Sequence, residues 1–103
     1  MLERGDTFSF DRLLHKYPVV LAFFYSESCS KCKALLPVMK DIGQTNDKVC
    51  VIEINTNRDA DFAYNYAVSA VPSLLLFKDG TYVDRKTGAQ NRKAIEKFID
   101  SVL

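Results

Sequence analysis

The chain has 103 residues, 48 % apolar and 12 % aromatic, and its charges nearly cancel to a formal +1. That length fits one domain, residues 1–103, with apolar content enough for a core that needs no disulfide framework. The balanced charge argues against a nucleic-acid partner, and the longest apolar stretch, Val19 to Tyr25, falls far short of the ~20 residues of a membrane span.

The opening residues, Met1-Leu2-Glu3-Arg4-Gly5-Asp6, carry no apolar run after their charges, so no secretory leader is read and a cytoplasmic protein is expected. Asp6 or Thr7 can cap a first helix in which Phe10, Leu13, Leu14 and Tyr17 recur at helical spacing, and Tyr17-Pro18 ends it. Val19 to Tyr25 is apolar on both faces, the pattern of a central strand covered on each side by helices. Ser26-Glu27-Ser28 is suited to capping, and a second helix is expected from Cys29 to about Ile42, ended by Gly43 and kinked at Pro37.

Val49 to Asn55 reads as a second buried strand, and Asp59 to Tyr66 as a short helix with Tyr64 and Tyr66 as packing residues. Leu74 to Phe77 and Thr81 to Lys86 form strands joined by a tight Asp79-Gly80 turn, and Gly88 breaks the second of them. A last amphipathic helix carries Ile95, Phe98, Ile99 and Val102. The early strand–helix–strand unit requires parallel strands and the late hairpin antiparallel ones. The expected fold is therefore α/β, a mixed central sheet of about four to five strands with helices on both faces.

Three cysteines are present, two of them in Cys29-Ser30-Lys31-Cys32. A chain in a reducing compartment uses such a pair for redox chemistry or for metal rather than for a structural bridge. The pair sits where the chain leaves a central strand and opens a helix. Unpaired N–H groups and the positive dipole end of a first helical turn favour a thiolate over a thiol, and the thiolate is the nucleophile. Lys31 adds positive charge in the same direction. Cys29, at the helix start, is the candidate nucleophile, and Cys32, one turn inward, the candidate resolving thiol.

These residues carry a resemblance. The apolar strand ending at Tyr25, Cys29-Ser30-Lys31-Cys32-Lys33, Pro37, Tyr66-Ala67-Val68-Ser69-Ala70-Val71-Pro72-Ser73, Leu74-Leu75-Leu76-Phe77-Lys78-Asp79-Gly80 and Gly88 together resemble the thioredoxin family over nearly the whole chain. The resemblance implies a thioredoxin fold and thiol–disulfide exchange with protein disulfides. A thioredoxin-reductase-like electron donor is expected with it, and the chain is expected to be a monomer with no cofactor and no metal. It further implies a cis Val71-Pro72 bond facing the cysteines, pairing of Val71 with an extended substrate chain, and a docking surface of Tyr25, Ala70, Val71, Pro72 and Gly88.

The sequence departs from that family's common Trp-Cys-Gly-Pro-Cys pattern. Ser28 stands in place of the tryptophan and Ser30-Lys31 in place of Gly-Pro. Phe23 occupies the position of a buried aspartate that is common in the strand below the cysteines. These departures motivate an alternative, a binding or adaptor module whose redox pair turns over slowly or with one partner. An oxidase or isomerase role in an oxidising compartment is a third reading.

The remaining candidates have plainer explanations. Half a zinc site at Cys29 and Cys32 lacks a second paired motif to complete four ligands. Cys50 in a buried strand behaves as a small hydrophobe. His15 is expected at the surface without a catalytic role. Glu53, in an otherwise apolar strand, is expected either at an edge or near the cysteines.

Overall fold

The computed structural model describes residues 1–103. In chain order the elements are β1 (Leu2–Arg4), α1 (Phe10–Lys16), β2 (Val19–Tyr25), α2 (Ser30–Thr45), β3 (Cys50–Asn55), α3 (Ala60–Asn65), β4 (Ser73–Lys78), β5 (Thr81–Thr87) and α4 (Arg92–Asp100). They build a five-stranded sheet in the order β1-β3-β2-β4-β5. β1, β3 and β2 run parallel, and β4 and β5 are antiparallel to their neighbours.

Strand periodicity divides the core. Val20, Ala22 and Phe24 of β2, with Cys50, Ile52 and Ile54 of β3, face α1 and α3, where Phe10, Leu13, Leu14 and Phe62 cover them. Val19, Leu21 and Phe23, with Val49 and Val51, face α2 and α4 and meet Leu35, Met39, Ile42, Ile95, Phe98 and Ile99. The apolar run in β2 is therefore a central strand buried on both faces, as its composition requires. On the α1 side Phe10 packs edge-on against Phe62, Tyr66 and Phe77 with ring centres 5.0–5.5 Å apart. Tyr66 packs here as expected, whereas Tyr64 does not: it is 83 % exposed.

The helix ends follow local chemistry. Asp6 Oδ1 accepts the N–H groups of Phe8 and Ser9, an Asx turn that leads into α1 with Ser9, not Asp6 or Thr7, at the N-cap position. Tyr17 is extended ahead of Pro18, which stops that helix. Asn91 caps α4 by accepting the N–H of Ala94 at 2.8 Å, and Val102 lies beyond the last turn while still packing on the core. At the hairpin, Asp79 (φ 51°) and Gly80 (φ 81°) both take positive φ, the backbone of a type I′ turn.

Two features differ from the sequence-based expectation and share one cause. α2 does not stop at Gly43 but continues to Thr45, with Gly43 buried inside it. β1 was not expected. A Cβ at Gly43 would lie 3.1 Å from both Leu2 Cβ and the Met1 carbonyl oxygen, so this glycine is the gap that lets β1 lie beneath the helix. β1 has no sequence signal because it spans only three residues, of which Glu3 and Arg4 are charged. Its place is set by pairing with β3: Val51 N–H donates to the Met1 carbonyl at 2.8 Å, and the Met1 amino group to the Val49 carbonyl at 2.9 Å.

Gly5 continues that edge, its N–H donating to the Glu53 carbonyl at 2.9 Å. A Cβ there would stand 2.5 Å from the buried Ile52 Cγ2. Gly5→Ala is expected to destabilise the fold by about 1–3 kcal/mol through overpacking, which thermal unfolding followed by circular dichroism reads as a fall in midpoint.

Candidate active site

The antiparallel register of β2 and β4 creates the site. Phe24 pairs with Ser73, so the end of β2 lies beside the residues entering β4. That brings the start of α2 against Val71-Pro72, a segment 42 residues away in sequence: Cys29 Sγ lies 3.7 Å from the Val71 carbonyl oxygen. The Val71-Pro72 peptide bond is cis. Pro72 is buried, Val71 half-buried and Ala70 exposed. The Pro72 carbonyl accepts the Gly88 N–H at 2.8 Å, where Gly88 leaves β5 with φ 92°. Ser73 Oγ donates to the Ala70 carbonyl at 2.6 Å.

Cys29 is the N-cap of α2, with extended backbone (φ −86°, ψ 113°), and its sulfur accepts the Cys32 N–H at 3.2 Å. Ser, Thr, Asp and Asn usually fill this position because a side-chain acceptor satisfies an orphan amide of the first turn. A thiolate satisfies it better than a thiol. Hydrogen bonding from the Cys32 thiol, with the N–H groups of Cys32 and Lys31 and the Lys31 charge, holds the Cys29 thiol below the ordinary cysteine range. Burial acts oppositely on Cys32, which is 2 % exposed: loss of solvent, followed by its hydrogen bond to Cys29, pushes it up to about 11. The two thiols of the pair are thus shifted in opposite directions, Cys29 down and Cys32 up.

The turn between β2 and α2 is braced by three residues at and after the end of β3, Asn55, Thr56 and Asn57, that the sequence did not single out. Thr56 donates through both its N–H and its hydroxyl to the Tyr25 carbonyl, at 2.8 and 3.0 Å. Asn55 Nδ2 donates to Glu27 Oε1 and the Glu27 N–H to Asn57 Oδ1, each at 2.9 Å. The only trace of this brace in the sequence is the polar run Asn55-Thr56-Asn57 directly after an apolar strand. Tyr25 is half-buried and stacks on Phe23 with ring centres 5.5 Å apart. Lys31 is exposed on the first turn of α2.

The Thioredoxin family model matches residues 3–101. The chain belongs to the thioredoxin family. It is 33 % identical to the thioredoxin of Buchnera aphidicola over 88 % of this chain and 84 % of that protein. It is also 33 % identical to the thioredoxin of Acidithiobacillus ferridurans over 95 % of this chain and 91 % of that protein. Among solved structures, a point mutant of the thioredoxin from Halobacterium salinarum superposes with a TM-score of 0.89 at 31 % identity, covering 99 % of this chain and 88 % of that one. Thioredoxins are protein-disulfide oxidoreductases, and this chain is a thiol–disulfide oxidoreductase of the thioredoxin fold.

Outside the cysteine pair, the chain buries one further ionisable side chain of note, Glu53. It lies not at a sheet edge but mid-strand in β3, 5 % exposed, on the row that faces α2. Its Oε1 accepts from Lys40 Nζ at 3.4 Å, and its Oε2 has no partner. Beside it in β2 stands Phe23, fully buried. Cys50 is buried on the opposite face of the same strand, as expected, and His15 is exposed. No three His, Cys, Asp or Glu side chains converge anywhere in the chain, so a zinc site at Cys29 and Cys32 finds no further ligands within it. No helix is long and apolar enough to cross a membrane.

Two measurements probe these groups. Lys40→Met leaves a buried carboxylate without a counter-charge and is expected to cost about 1–3 kcal/mol. Combined with Glu53→Leu, the loss should largely vanish in a double-mutant cycle of chemical denaturation. Burial pushes the Cys50 thiol up to about 11, as it does Cys32. The unfolded chain, with ordinary thiols, therefore releases these protons first as pH rises. Stability is intact below the ordinary thiol range and falls between about pH 9 and pH 11. Tyr17, raised to about 12 by its hydrogen bond to Glu3, adds to the decline above pH 10, and Cys50→Ala should make the fall in urea midpoints between about pH 9 and pH 11 shallower.

Proposed function

We propose that Cys29 is the attacking thiolate and Cys32 the resolving thiol of a thioredoxin-type exchange with protein disulfides. The observation that carries this reading is the sulfur of Cys29 accepting the Cys32 amide at a helix N-terminus while facing the Val71 carbonyl. The Cys29 thiolate attacks one sulfur of a substrate disulfide. The substrate S–S bond breaks, a Cys29–substrate disulfide forms, and the released substrate thiolate takes up a proton. Cys32 then loses its proton and attacks Cys29 Sγ, which forms the Cys29–Cys32 disulfide and releases the second substrate thiolate. The substrate has gained two electrons and this chain has lost two.

Lys31 tunes the step by adding charge near the thiolate. Substrate docks as an extended segment against Val71, with Tyr25, Ala70, Pro72 and Gly88 lining the contact. Thioredoxins act on protein disulfides and are reduced by thioredoxin reductase, and a donor of that type would return the Cys29–Cys32 disulfide to the dithiol. In this reading the chain works as one domain over residues 1–103, as a monomer in a reducing cytoplasm, with neither nucleic acid nor membrane as partner.

Phe23 favours the adaptor reading to this extent: β2 carries no acid at that position, and the buried acid at that level is Glu53 of β3. A Cys32→Ser variant separates the two, since a general reductase accumulates mixed disulfides with many proteins and an adaptor with one.

Iodoacetamide alkylation against pH is the direct test. Cys29 should alkylate with a midpoint below the ordinary thiol value and Cys32 only near pH 11. Insulin reduction driven by dithiothreitol should fall to background in Cys29→Ser. A Cys29 no more reactive at pH 7 than a free thiol, or insulin reduction that survives Cys29→Ser, defeats the proposal.

A further inference from the structure

The segment that faces Cys29 is held at both ends by β5. At its far end, Pro72 receives the Gly88 N–H. At its near end stands Arg85, whose Nη2 donates to the Tyr66 carbonyl at 3.0 Å and whose Nη1 donates to the Ala67 carbonyl at 3.1 Å. The guanidinium is itself fixed: Nε donates to the Tyr82 hydroxyl at 2.9 Å, and the group lies 5.3 Å from the centre of the Tyr82 ring. β5 register places Arg85 beside Leu75, on the sheet face that α3 covers.

Ala67 needs such a clamp. It ends α3 with φ 57°, a left-handed conformation that alanine adopts only at a cost, where glycine is the usual residue. The neighbouring amides close the helix end in the standard way: Val68 N–H reaches the Ala63 carbonyl, and Ala67 N–H the Tyr64 carbonyl, each at 2.9 Å. That leaves the Tyr66 and Ala67 carbonyls pointing outward, and the planar fork of an arginine fits two adjacent acceptors as a lysine cannot. The next residues, Val68 to Val71, run directly to the carbonyl that faces Cys29.

We propose that Arg85 is a positioning residue for protein substrates: by fixing the left-handed turn at Ala67 it sets the path of the Val68–Pro72 backbone, and so the affinity for an extended chain docking at Val71. It takes no part in the thiol chemistry. The inference rests on the docking reading proposed above. Arg85 touches neither sulfur, so its loss changes substrate affinity and leaves Cys29 as reactive as before.

The test compares Arg85→Met and Arg85→Lys with the parent in three assays. These are KM and kcat for reduction of insulin, the rate with a small aromatic disulfide that needs no docking, and the iodoacetamide alkylation rate of Cys29. The expected result is a rise in insulin KM of about fivefold for Arg85→Met, a smaller rise for Arg85→Lys, and unchanged kcat, small-disulfide and alkylation rates. An unchanged insulin KM overturns the proposal, and so does a fall in alkylation rate that matches the change in KM. If Arg85→Met does not fold, Arg85→Lys, which keeps the charge and loses the fork, is judged by the same criteria. A parent protein whose Cys29 is inactive in all three assays refutes instead the assignment of the cysteine roles.

Discussion

The amide of Cys32 points at the sulfur of Cys29, and the rest of the site is arranged around keeping it there. The contact exists because Cys29 is not inside α2 but at its N-cap, extended, with the first helical turn beginning one residue later. The polar brace from Asn55, Thr56 and Asn57 holds the preceding turn, so the cap position does not drift along the chain. The two identical side chains are shifted in opposite directions. The more accessible thiol is lowered by donors it can accept from, and the buried one is raised by the solvent it has lost.

A second constraint supplies the other wall of the site. β2 and β4 are antiparallel neighbours, so the chain leaves the first at the same end of the sheet where it enters the second. Chemistry carried by the α2 N-terminus and backbone carried by the residues before β4 therefore meet without either being built for the other. β5 completes the arrangement from the sheet edge, gripping the incoming segment through Gly88 at one end and Arg85 at the other. The exposed edge strand, which contributes little to the core, thus has a share in the geometry of the site.

The interior shows one group that the fold tolerates rather than exploits for packing. Glu53 sits in a row otherwise filled by Val49 and Val51, opposite α2, and keeps its charge partner Lys40 on the helix above it. A buried carboxylate with a single long contact costs the fold stability relative to an apolar residue of its size. The alternation of the row fixes which helix that carboxylate meets, and Lys40 is the cation that helix offers it.

The residues by themselves determined a good deal. Period-two and helical spacing are local properties, and they placed β2 to β5 and the four helices within a few residues, together with the cysteine pair at a strand-to-helix junction. The sequence could not place β1, whose three residues carry no pattern and are ordered by pairing with β3 and by Leu2 packing beneath α2. Nor could it show that Gly43 is a gap beneath a helix rather than its stop, since that depends on what lies against it. The contact of Cys29 with Val71, the clamp of Arg85 on the end of α3, and the partners of Glu53 all join residues distant along the chain. Only the register of one strand against the next decides such meetings, because a strand's own sequence says which face a side chain takes but not which neighbour it will find there.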